Sequence, residues 1–211
     1  AERTTVLFRA LALISLVAPA LASADVDPKF ASLRDKAEAV PSLGAFLDKY
    51  VGDCGTEPGT SGECQKNAAT YRAAQTGRKF YMIISEDQGT NLSMGPYNPN
   101  GDQMTIHLTP FFAGSNSAVS HGAPSKTDAN GNPIMPYLPI TGPIPQLGNM
   151  TMITRMLNSR QMRVQVVFTP QGLWTLPKKG GGKITGVKTR FDAVVITVGR
   201  TGEQIALWVN K

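Results

Sequence analysis

Acid–base, nucleophilic and metal chemistry each need particular side chains at particular spacings, and this chain offers few of them. It has two histidines, His107 and His121, and two cysteines, Cys54 and Cys64. Histidine is the side chain most often used for general acid–base work. Either could join Asp87, Asp102 or Asp128 on a metal, but no spacing brings these residues together, so no metal site is expected. His107 lies in the alternating stretch 104–109 and reads as a half-exposed sheet residue. Glu86 and Asp87 are adjacent at a strand end, where neighbouring side chains point to opposite faces, so they read as a solvated pair. Residues 128–133 place oxygen side chains at the first, third and fifth positions of a calcium loop. Pro133 then replaces the required glycine and Pro139 the bidentate glutamate, which leaves a β-turn. The patterns G-x-S-x-G, H-E-x-x-H, G-x-x-x-x-G-K-[ST] and S-x-x-K are all absent. Gly180-Gly181-Gly182-Lys183 has the wrong spacing for a phosphate loop and reads as a hairpin turn. No cofactor is implied.

His107, a spacer and Ser120-His121-Gly122-Ala123 form the one stretch with a familiar outline. It resembles the catalytic signature of the L,D-transpeptidases, exported enzymes that crosslink the cell wall. The resemblance covers fewer than 20 residues. It implies a cysteine nucleophile where this chain has Ala123, followed here by Pro124. Without a thiolate no acyl-enzyme forms. Ser120-His121 therefore reads as turn chemistry, and His107 and His121 are what remains of a catalytic reading.

Charge points elsewhere. Residues 25–150 hold nine Lys/Arg against twelve Asp/Glu, a net −3, whereas residues 151–211 hold ten against two, a net +8. A basic tail behind a mildly acidic front suggests an anionic partner. Lys178, Lys179, Lys183, Lys188 and Arg190 are its densest cluster, with Trp174 nearby as an apolar platform. Phe111, Phe112 and Tyr137 in the 110–148 stretch are the second binding candidate, but if that loop is ordered they read as its anchors to the core.

Residues 1–24 look like an export signal. Arg3 and Arg9 precede a nine-residue apolar run at 10–18, Pro19 ends it, and Ala22-Ser23-Ala24 is a small-x-small cleavage site that leaves Asp25 first. The run is well short of the roughly 20 residues that span a bilayer. No later segment reads as a transmembrane span, and no cysteine follows the run for lipid attachment. In an oxidising compartment Cys54 and Cys64 are expected to form one disulfide, since structural zinc needs four ligands. The expected location is the periplasm or the exterior, which makes nucleic acid an improbable partner.

The elements that must position these residues follow from local pattern. Residues 25–211 suffice for one domain with its own core. Asp27-Pro28 starts a helix expected to reach residue 39 and to bury Phe30, Leu33 and Ala37. Ser42 caps a second, with Leu43, Phe46, Leu47, Tyr50 and Val51 on one face and Gly52 as its stop. A third covers residues 64–75. Residues 80–84 form an apolar run of strand length, and 91–97 and 104–109 flank an Asn-Gly hairpin at 99–102. Residues 110–148 carry seven Pro and five Gly without periodicity and read as one long Pro/Gly-rich loop, unless short elements hide there. A short helix at 149–160 precedes strands at 162–169, 184–190, 193–198 and 204–209, with Pro170-Gln171-Gly172 stopping the first. The expected class is α+β: N-terminal helices packed on one face of a mostly antiparallel sheet of five to seven strands.

Together these features point to an exported, non-enzymatic protein that binds an anionic envelope component or another exported protein. An envelope hydrolase or transferase with a site near His107, and a structural subunit of an envelope assembly, are the alternatives.

Overall fold

The computed structural model describes residues 26–52, 54, 61–85, 92–98, 100, 103–114, 116–129, 133–143, 150–159, 161–177 and 181–211. Residues 1–24, expected to be an export signal, Glu86-Asp87, and Lys178 and Lys179 lie outside the described residues.

The class is α+β, with a mostly antiparallel sheet. Helix α1 (Pro28–Arg34) begins as its caps dictate: the Asp27 carboxylate accepts the Lys29 N–H and Pro28 occupies the first turn. It ends well before residue 39 because the chain is captured by a ladder. Strand β1 (Glu38–Ala39) runs parallel to β2 (Phe80–Ser85), with the Glu38 and Val40 N–H groups donating to the Lys79 and Tyr81 carbonyls. Helix α2 (Leu43–Leu47) is capped by Ser42, whose hydroxyl accepts from the Ala45 N–H, and passes into a π-helical turn at Asp48–Gly52. Gly52 closes that turn at φ +69°, where a Cβ would lie 2.5 Å from the Cβ of Ala68. Only glycine lets the turn approach helix α3 (Ser61–Ala74) so closely. The Cys54–Cys64 disulfide fastens the two there, with 5.6 Å between Cα atoms.

Among the described residues the principal sheet has seven strands. Two of them, β10 (Met162–Pro177) and β11 (Lys183–Val198), are 16 residues long and form its central antiparallel pair. β2 extends the sheet beyond β10, with β1 outside it. The other edge of β11 is shared end to end. β6 (Ser117–His121) lies parallel along residues 185–189, and β12 (Gln204–Val209) antiparallel along 193–197. β5 (Phe111–Ala113) pairs with β6. A second sheet orders β3 (Leu92–Asn98), β4 (Gln103–Leu108) and β9 (Leu138–Pro143), and β7 (Lys126–Thr127) pairs with β8 (Pro133–Ile134).

Three expectations about loops and strand breaks are corrected. Residues 110–148 are not one loop, because five short strands run through them. Their prolines hide the period, and β9 tolerates Pro139 and Pro143 because it is an edge strand. Pro170-Gln171-Gly172 does not stop β10. It forms a bulge in the ladder, past the last β2 partner at Phe168. Residues 184–190 and 193–198 are one strand, not two. Asp192 is the extra residue of a second bulge, and its buried carboxylate accepts the Thr169 hydroxyl at 2.8 Å and Arg190 Nε at 3.1 Å.

The helices do not share one face of the sheet. Strand alternation sends Phe80, Met82, Val164, Val166, Phe168 and Ile196 to one side and Tyr81, Val167, Ala193 and Val195 to the other. The first side carries the main core. There α2, the second sheet and helix α4 (Met150–Asn158) contribute Phe46, Ile106, Ile140 and Ile153. The second side is covered by α1, whose Phe30 is fully buried against Val167, Ala193 and Val195. Edge strand β1 is where the chain crosses from one side to the other. Among the described residues no helix is long and apolar enough to cross a membrane.

Candidate functional site

Where the β10–β11 hairpin extends past β2, the first face of the sheet is left without the second sheet above it. The π-turn and α3 stand over it instead, and a cleft of about 560 Å³ opens between them. Its floor is polar. Thr175 on β10, Thr185 on β11 and Ser117 on β6 are register partners across three adjacent strands, so their hydroxyls form one row. Two residues along β11, on the same face, Lys183 lines the rim. Leu173, two residues from Thr175 and 39 % exposed, adds an apolar patch beside the row.

The facing wall comes from the disulfide-fastened helices. Val51 supplies apolar surface with the buried Leu47 and Ala68 behind it, and Arg72 on α3 supplies a guanidinium. Arg72 Nη1 donates to the Tyr50 carbonyl at 2.9 Å and reaches the Val51 carbonyl at 3.5 Å. These bonds satisfy carbonyls of the π-turn and fix the plane of the fork. Among the described lining residues Asp48 is the one carboxylate, against Arg72 and Lys183. Two cations, a row of hydroxyls and an apolar strip suit reversible binding of a polar anion. Among the described residues no group of His, Cys, Asp and Glu is arranged to hold a metal ion.

Residues 7–211 match the model of a family described as a family of unknown function (DUF6066). The chain belongs to that family. No curated protein and no solved structure matches it.

This member of the family keeps its two imidazoles apart and engaged. His107 on β4 faces away from the core and packs at a tilt against Tyr137, with ring centroids 4.5 Å apart. Its other side lies against Gly95, where a Cβ would come within 2.7 Å of Nε2. His121 ends β6 in the other sheet. Its Nδ1 accepts the Phe191 N–H at 3.1 Å, and its ring contacts Phe191 and Trp208. Burial holds its pKa below the usual histidine value. Ser120 is buried and occupied as well: its hydroxyl donates to the Gly122 carbonyl at 2.6 Å and accepts the Trp174 indole N–H at 2.8 Å. The stretch that resembles a transpeptidase signature thus forms a strand end with internal hydrogen bonds.

The basic cluster is divided by the sheet. Lys183 shares the cleft face with Thr185, whereas Lys188 and Arg190 alternate onto the opposite face, where Arg190 pairs with Asp192. Lys79 approaches the same carboxylate at 3.7 Å. Trp174 is no exposed platform. It is 8 % exposed and lies across Gly186 on the side away from Thr175. The cleft residues Arg72, Thr175, Thr185 and Ser117 have no signature in the sequence. Thr185 and Lys183 could be paired by alternation alone, but bringing Thr175 and Ser117 beside them needs the hairpin register and the parallel docking of β6.

Proposed function

We propose that the protein is an exported, non-enzymatic binder of an anionic component of the cell envelope, and that the cleft between α3 and the β10–β11 hairpin is its seat. One observation carries the reading: Arg72 and Lys183, more than 100 residues apart in the chain, converge on one open, hydroxyl-floored cleft. The strongly basic tail supports it by favouring encounter with anionic surfaces. The leader-like segment at 1–24 and the Cys54–Cys64 bond fit an oxidising destination. Both imidazoles and the buried Ser120 already hold internal contacts, which favours binding over turnover.

The test is co-sedimentation of the oxidised protein with anionic envelope fractions across a salt series. The parent chain should associate and release as salt rises. A variant carrying Lys178→Glu, Lys179→Glu and Lys183→Glu should lose most of that association at low salt. Equal retention of the two proteins would refute the reading.

A further inference from the structure

Resting on that reading, we propose that the ligand of the cleft is an acidic glycan, a short run of sugar residues bearing carboxylates, laid across the β6–β11–β10 floor. The row Ser117–Thr185–Thr175 presents one hydroxyl per strand, and adjacent strands lie about 4.8 Å apart. That spacing is close to the advance of one sugar unit in an extended polysaccharide. Each threonine hydroxyl can both donate and accept, as each sugar hydroxyl does, so the pair matches a polyol without demanding one orientation. Among the described residues, the Thr175 and Thr185 hydroxyls take no other bond, and Ser117 uses its proton on the Ala113 carbonyl while keeping its acceptor capacity.

The remaining lining supplies what a sugar ring and its acid need. Leu173 flanks the row with the apolar contact that the C–H face of a pyranose requires. Arg72, its plane fixed by the Tyr50 and Val51 carbonyls, presents a fork to a carboxylate on one wall. Lys183 stands on the other side as a mobile point charge. The cleft volume, about 560 Å³, lies within the range of small-ligand sites. A lipid tail would need continuous apolar lining, and here polar and apolar residues alternate. A bare inorganic anion would use the two cations but neither the hydroxyl row nor Leu173.

The experiment is calorimetric titration of the oxidised protein with a short oligogalacturonate, its fully methyl-esterified neutral counterpart, inorganic phosphate and anionic lipid vesicles. The acidic oligosaccharide should bind saturably, and esterification should weaken it by about tenfold or more, the value of one charge-assisted contact. Lys183→Gln should cause a loss of the same order. The nearly isosteric pair Thr175→Val, at an exposed position, and Thr185→Val, at a half-buried one, should weaken binding while leaving the circular dichroism spectrum and melting temperature unchanged. Lys188→Gln, on the opposite face, should leave affinity as it is. Equal affinity for the acid and its ester, or binding indifferent to the threonine pair, overturns the glycan assignment. Tight binding of phosphate or vesicles with none of the oligosaccharide overturns it too, yet keeps the anionic-envelope reading. Binding of no anionic probe overturns both.

Discussion

Gly186 tests how the hairpin beneath the cleft is built. It pairs with Trp174 across the β10–β11 ladder, and the indole fills the space that a Cβ would take. A Cβ at residue 186 would sit 2.0 Å from both Cε2 and Cζ2 of Trp174. Carbon atoms need about 3.5 Å, so the ring must move by more than an ångström. That movement strains a packed site, at about 1–3 kcal/mol for overpacking. It also breaks the indole N–H bond to Ser120, worth about 1 kcal/mol. Set against the roughly 0.5–1 kcal/mol that a glycine-to-alanine change ordinarily gains in a strand, Gly186→Ala should destabilise by a net of about 1–3.5 kcal/mol. For a chain of this size the melting temperature should fall by roughly 3–13 °C. The assay is thermal and urea unfolding followed by circular dichroism. In a Trp208→Phe background, fluorescence then reports Trp174 alone, since the chain has two tryptophans. The displaced indole should emit at longer wavelength. The decisive control repeats the substitution in a Trp174→Leu background, where the clash partner is gone and the penalty should shrink to below about 1 kcal/mol. A melting temperature unchanged by Gly186→Ala, or a penalty of equal size in both backgrounds, would refute the packing argument.

Two further outcomes follow from the same geometry. His121 is held neutral by burial and accepts the Phe191 N–H, whereas an unfolded histidine takes up a proton near pH 6.5. Unfolding then gains a proton, so the His121 contribution is fully present above that value and is lost as pH falls from it toward the lower folded pKa. His121→Asn should flatten the dependence of the urea midpoint in that window, and an unchanged slope would assign it to other groups. Replacing Cys54 and Cys64 by serine opens a short loop, and chain entropy alone should remove about 2–3 kcal/mol. Because the bond fastens the cleft wall, hydrogen exchange should accelerate first in α3, and uniform acceleration across the sheet would argue against a local clamp.

How much of this was legible beforehand varies with how local the cause is. The start of α1 at Asp27-Pro28, the Ser42 cap and the hairpin of β3 with β4 were readable, because a cap or a turn acts within four residues. The Cys54–Cys64 pair was readable by elimination. The end of α1 was not, because the ladder that captures Glu38 and Val40 depends on β2, some 40 residues on. Strands β5 to β9 were hidden, because short pieces broken by proline show no period of their own. Asp192 looked like an interruption between two strands. Only Thr169, Lys79 and Arg190 around it explain how one strand carries a buried carboxylate through a bulge.

The candidate site divides the same way. Composition alone established the strong positive charge of the C-terminal segment and the scarcity of catalytic side chains. The fold then decided which charges act together. Strand alternation separated Lys183 from Lys188 and Arg190, and the ladder turned Trp174 inward over Gly186. Docking of α3 over the hairpin brought Arg72 to a row of hydroxyls drawn from three strands. Charge and capping are properties of residue type and near neighbours, so they are present in the chain as written. A cleft is a property of register and of which elements pack over which, and those arise only when segments distant in the chain bury their apolar faces together.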